Sequence, residues 1–181
     1  MRRRVHDRMP SRLVVLGCLG AAGFGTAASG ATPASDGITL TVGQGTPIVL
    51  TTAALDRLPT RQVALSFMAH GGSAHGPDKA TFEGPLLWTV LDEAGAIGHA
   101  KPGEQGREIV LLTGHDGYTA ILGLGEIAPS FEGKSVILAD RMDGHPLGAG
   151  HFRIVVPGDQ RAARSVRDLA DIAILAPHAA P

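Results

Sequence analysis

Short apolar runs, several alternating with hydroxyl or charged residues and most cut off by glycine or proline, are interspersed along this chain with short helical stretches. No regular strand-helix-strand rhythm emerges, and this constrains the fold most. A doubly wound sheet needs a helical crossover between successive strands, so the pattern predicts a mixed, strand-rich α+β single domain instead. Strands are expected at 38–42, 47–50, 61–68, 78–82, 108–113, 118–122, 135–139 and 152–156, with a turn and a final strand within 165–175. Helices are expected at 51–58, capped by Thr51 or Thr52 and stopped by Pro59, at 85–94, and at 124–128. In the second of these Pro85 takes the first turn and Gly95 lies past the end. Leu86, Leu87, Val90, Leu91 and Ala94 recur at helical spacing and should face the core. Trp88 falls off that stripe and is expected to cover a second surface or line a pocket. The glycine-rich stretch 69–77 reads as a loop.

The ends are set aside before the fold is considered. Residues 1–30 begin with a basic run and continue with an uncharged stretch, 13–28, that ends in small residues. This is the pattern of a secretory signal peptide, with cleavage after Ala28 or Gly30, and it implies a periplasmic or secreted protein without a stable membrane span after cleavage. An uncleaved anchor, a twin-arginine signal from the adjacent N-terminal arginines, and lipidation at Cys18 are weaker matches to the same residues. Residues 31–37 read as a flexible lead-in, 38–176 as the domain and 177–181 as a tail. The first 30 residues carry five arginines and one aspartate, so of 16 basic and 17 acidic residues 11 and 16 remain, a net charge of −5. That balance argues against a nucleic-acid partner. Cys18 is the single cysteine, so the chain beyond the leader holds no disulfide framework, zinc-thiolate cluster or thiol nucleophile.

The strongest candidate for ligand binding is Arg153-Ile-Val-Val-Pro-Gly158 with Arg161, Arg164 and Arg167 after it. A Val/Ile strand stopped by Pro-Gly can turn tightly beside a ligand. Guanidinium forks suit phosphate oxygens. Asp159, Asp168 and Asp171 lie among these arginines, so a mixed-charge surface turn explains the same composition. The run 114–118 places His115, Asp116 and Tyr118 between two strands, either as a site or simply as a hairpin turn around Asp-Gly. His70 with His75, and His145 with His151, lack metal-motif spacing and read as surface histidines.

Taken in order, the helix start at Gly84-Pro-Leu-Leu, the Asp116-Gly-Tyr118 hairpin, Ile137-Leu-Ala139, Asp143-Gly-His-Pro-Leu147, and His151-Phe-Arg-Ile-Val-Val-Pro-Gly158 with Arg164-Ser-Val-Arg167 resemble the molybdopterin-binding domain of sulfite-oxidase-like oxidoreductases. The resemblance spans 82–175. It implies that fold, molybdopterin as cofactor, and Arg153, Arg164, Ser165, Arg167 and His151, with Asp116 and Tyr118, as candidate cofactor-binding residues. Arg153 and the segment 165–167 would lie near the pterin's polar and phosphate groups. Arg167 stands where the family has lysine, and Asp168 where it has tryptophan. Family members that transfer oxygen hold molybdenum through a cysteine thiolate. The corresponding region here offers Ser66 or His70, neither a chemical substitute. The expectation is therefore an exported, molybdopterin-dependent oxidoreductase-like protein whose redox catalysis the missing cysteine undercuts, or a non-catalytic binding module for a small anion or partner protein on the same fold.

Overall fold

The computed structural model describes residues 37–67, 78–98 and 101–176, all within one compact unit, Pro33–Pro181. The expected leader with Cys18, most of the expected lead-in, the stretch with His70 and His75 expected as a loop, and the expected tail lie outside the described residues. In chain order the elements are β1 (Gly37–Val42), β2 (Ile48–Thr51), α1 (Thr52–Leu55), β3 (Thr60–Phe67), β4 (Asp78–Pro85), α2 (Leu87–Glu93), α3 (Pro102–Gln105), β5 (Ile109–Gly114) and β6 (Thr119–Gly123). They continue with α4 (Leu124–Ile127), β7 (Ile137–Ala139), β8 (Arg141–Met142), β9 (His145–Pro146), β10 (Arg153–Val155), a 3-10 turn at Ala162–Arg164, and β11 (Leu169–Leu175). The strand-rich α+β expectation holds.

Three sheets form. The largest has the order β2-β1-β11-β5-β6, the second is the β10-β7 ribbon, and the third runs β3-β4-β8-β9. Strand β11 enters the middle of the large sheet, parallel to β1 and antiparallel to β5. Side chains alternate across each strand, so Ile38, Leu40, Val110, Leu112, Leu122, Ile172 and Ile174 all reach one face and pack with Leu87, Val90 and Leu91 of α2.

The β7-β10 ribbon is buried on both faces. Leu138 and Ile154 join that main core, whereas Ile137, Ala139 and Val155 join a second cluster with Val63, Leu65 and Phe82. A strand between two apolar layers needs an uninterrupted hydrophobic run, which is the reason for the Ile-Val-Val sequence. Pro157-Gly158 ends it, with Gly158 at φ +84°.

Element boundaries differ from expectation where packing intervenes. The helix expected at 51–58 is a single turn, with Thr51 Oγ1 accepting the Ala54 N–H at 3.3 Å. The strand expected to end at 82 runs to Pro85, which therefore closes β4 opposite Thr60 rather than opening a helix. Gly84 explains this extension. A Cβ there would lie 2.1 Å from the Leu138 carbonyl oxygen, so only glycine lets β4 press against β7. Leu86 then bridges to Ile137, and α2 starts one residue later. Trp88 packs against the main core. The turn α3 and the β8-β9 hairpin carry no clear apolar periodicity and were not expected. The hairpin is held by Asp143, at φ +50°, whose Oδ1 accepts the Thr81 N–H at 2.8 Å.

Candidate functional site

Arg153 lies on β10 between two residues that face the main core, so alternation sends its side chain toward the second cluster. There its guanidinium carbon lies 4.9 Å from the centre of the Phe82 ring, a cation–π contact. The residue is 8 % exposed. Among the described residues its Nε has no hydrogen-bond partner. Burial first, and repulsion from Arg167 second, push its pKa below the usual guanidinium range. A buried cation next to another cation, with an orphaned donor, is stabilised by an anion.

The segment after the Pro-Gly turn doubles back along β10. The Ile154 N–H donates to the Val166 carbonyl and the Leu169 N–H to that of Phe152, both at 2.9 Å. Ser165, buried, accepts the Val156 N–H through Oγ at 3.3 Å. These bonds hold Arg167, exposed at the surface, close enough to Arg153 for their charges to interact. Of the predicted arginines, this pair is the one the fold assembles.

Arg164 has different surroundings. Its Nε and Nη2 donate to Asp159 at 2.9 and 2.6 Å, and its Nη1 donates to Glu126 at 3.0 Å. These bonds raise its pKa, the Asp159 bond most. Arg164 thus pins the 3-10 turn to α4, the mixed-charge surface turn that composition allowed.

The 114–118 run forms the β5-β6 hairpin. Asp116 Oδ1 accepts the Tyr118 N–H at 2.9 Å, and the Tyr118 hydroxyl donates to the Ala163 carbonyl at 2.6 Å. The turn docks on the arginine segment, with the His115 N–H donating to the Asp168 carbonyl at 2.9 Å. His151 and Asp168 meet at 2.6 Å between Nδ1 and Oδ1. Of the predicted residues the fold therefore gathers His151, Arg153, Arg167 and the hairpin at one edge, while Asp116, Arg164 and Ser165 carry bonds that hold the chain. Ser66 is exposed on β3, and His145 and His151 are both exposed. Among the described residues no cluster of metal-ligating side chains occurs.

Phe82 and Asp168 were missed as site residues. Each matters only through a neighbour distant in sequence, and no local spacing signals that. A concavity of about 400 Å³ lies on the opposite face of β4 from Phe82, lined by Asp56, Glu83, Asp140 and Arg141 among others. Burial pushes the Asp140 carboxyl up. Its excess of carboxylates disfavours a phosphate.

No helix among the described residues is long and apolar enough to cross a membrane. No curated protein sequence matches the chain. Among solved structures, the sulfane dehydrogenase SoxCD from Paracoccus pantotrophus is similar at 19% identity and a TM-score of 0.56, over 77% of this chain but 38% of that one. The chain thus spans well under half the length of the structure it matches, and the likeness is one of fold. A family model described as the oxidoreductase molybdopterin binding domain matches residues 29–179. The buried Arg153, with its Nε unpaired among the described residues and Arg167 beside it, has the charge to suit the phosphate of that cofactor, while the sole cysteine stands at position 18, outside the match. Because this match covers most of the chain, the chain belongs to the oxidoreductase molybdopterin-binding domain family.

Proposed function

We propose that this chain is an exported molybdopterin-binding protein of the periplasm or extracellular space that holds the cofactor's phosphate on Arg153 and Arg167. One observation carries the reading: Arg153 is 8 % exposed and stacked on Phe82, and its Nε lacks a partner. A buried guanidinium with an unpaired nitrogen is costly unless a ligand offsets its charge. Arg167 sits where it adds a second charge, and the backbone bonds from Val166 and Leu169 to β10 hold both arginines in place. The cofactor, when bound with its metal, supplies two-electron redox chemistry. The chain beyond the leader offers that metal no thiolate. This favours retention of the pterin with weakened or lost oxygen-transfer activity, and makes a non-catalytic binding role for a small anion the second reading.

Expression in a molybdopterin-synthesising host, followed by pterin fluorescence and molybdenum analysis of the purified protein, tests both readings. Pterin bound near one per chain, and lost in Arg153→Ala and Arg167→Ala, is the expected result. Folded protein free of pterin would overturn the cofactor reading. Fractionation of the same cells checks export, with the full-length precursor remaining in the cytoplasm as the contrary result.

A further inference from the structure

His151 and Asp168 make a contact that neither the packing of the sheets nor the arginine pair requires. Nδ1 and Oδ1 are 2.6 Å apart, at the short end for a bond to a charged acceptor. Asp168 makes this contact from φ +48°, a left-handed conformation that aspartate and asparagine adopt more readily than other side chains. Two backbone bonds flank that conformation, from His115 N–H to the Asp168 carbonyl and from Leu169 N–H to the Phe152 carbonyl. On its other side the imidazole is packed so closely over Gly148 that a Cβ there would lie 2.9 Å from its Cδ2. The ring is held between a carboxylate and a glycine, yet the two side chains remain 58% and 43% exposed. Among the described residues no hydrogen bond reaches Nε2.

The location is informative. His151 precedes Arg153 by two residues, Asp168 directly follows Arg167, and the two segments are bonded to each other through their backbones. One backbone pairing therefore brings a histidine-carboxylate pair beside the two arginines. A carboxylate on Nδ1–H fixes the tautomer and orientation of an imidazole and balances its charge when protonated.

We propose that the His151–Asp168 dyad forms the outer part of the cofactor-phosphate site, with Nε2–H of His151 donating to a phosphate oxygen held from within by Arg153 and Arg167. Asp168 is a positioning residue that acts through His151. The proposal rests on the arginine edge being the phosphate site.

Titration of the pterin-free full chain with inorganic pyrophosphate, followed by calorimetry and by the His151 side-chain nitrogen resonances, tests it. The expected result is a shift of Nε2 on binding and about tenfold weaker affinity in His151→Ala. Asp168→Asn, whose side chain tolerates positive φ, should weaken binding about threefold in the unsubstituted background and have no further effect in the His151→Ala background. Additive losses, or a loss with Arg153→Ala but none with His151→Ala, would overturn the dyad and leave the arginine site standing. No loss with any of these variants, or no binding by the unsubstituted protein, would overturn both. In pterin-loaded protein the Nε2 shift should disappear because the site is filled, and its persistence would overturn the assignment to the cofactor's phosphate.

Discussion

Arg153 and Arg164 stand on either side of the same Pro-Gly turn and have opposite surroundings. Arg164 is half-buried at a surface corner, and its fork is engaged by Asp159 and Glu126. Arg153 is buried against Phe82, and among the described residues its Nε is unpaired and the charge that acts on it is that of Arg167. The same residue type serves as a brace in one place and as an unsatisfied charge in the other. Burial without a partner distinguishes a candidate ligand group from a structural one, and the presence of arginine alone does not.

The largest expected effect comes from removing the floor of the Arg153 site. Phe82 is fully buried in the smaller core, so Phe82→Ala should cost about 4 kcal/mol in denaturant unfolding. A loss below about 1 kcal/mol would mean that the second cluster packs loosely and the arginine is not held by it.

Replacing each arginine by leucine sharpens the contrast. Arg153→Leu removes an uncompensated buried charge and should leave stability unchanged or raise it by about 1 kcal/mol. Arg164→Leu takes the guanidinium from Asp159 and leaves Glu126 with Lys134 and the Gly123 N–H, and should lower stability by about 1 kcal/mol. Thermal unfolding of the two variants should therefore move in opposite directions, and movement in the same direction would remove the distinction drawn here.

The smallest effect is a pH dependence at the Arg164 corner. Burial pushes the Glu126 carboxyl up, but the Gly123 N–H bond and the contacts with Arg164 and Lys134 outweigh it and hold the group below its ordinary value of 4.5. A carboxyl with a depressed folded pKa contributes stability that is present above the unfolded value and lost as pH falls through the folded one. Glu126→Gln should therefore be less stable than the unsubstituted protein at pH 7, and the two should converge in acid melts as pH falls through the lowered folded value. A constant difference across that range would separate Glu126 from the ion-pair network.

Much of this was legible from local patterns. The strand positions, the α2 stripe, the Asp116 hairpin and the stop at Pro157-Gly158 all follow from alternation and turn chemistry, which are properties of neighbouring residues. The start of α2 was misplaced because Pro85 is a valid first-turn residue in isolation. The close approach of β4 to β7 at Gly84 keeps the chain extended past that point. The two-residue strands β8 and β9 are too short to show a period at all.

The sequence by itself determined that the chain mixes strands with short helices, that arginines cluster after an apolar strand, and that the sole cysteine lies in the leader-like segment. Tertiary structure alone decided which arginine is braced and which is left unpaired, since Glu126, Phe82 and Asp168 reach their partners across long stretches of chain. It also decided that β11 enters between β1 and β5. Local spacing encodes which face of an element is apolar, whereas pairing between distant elements depends on how those faces are jointly buried, and only the assembled core sets that.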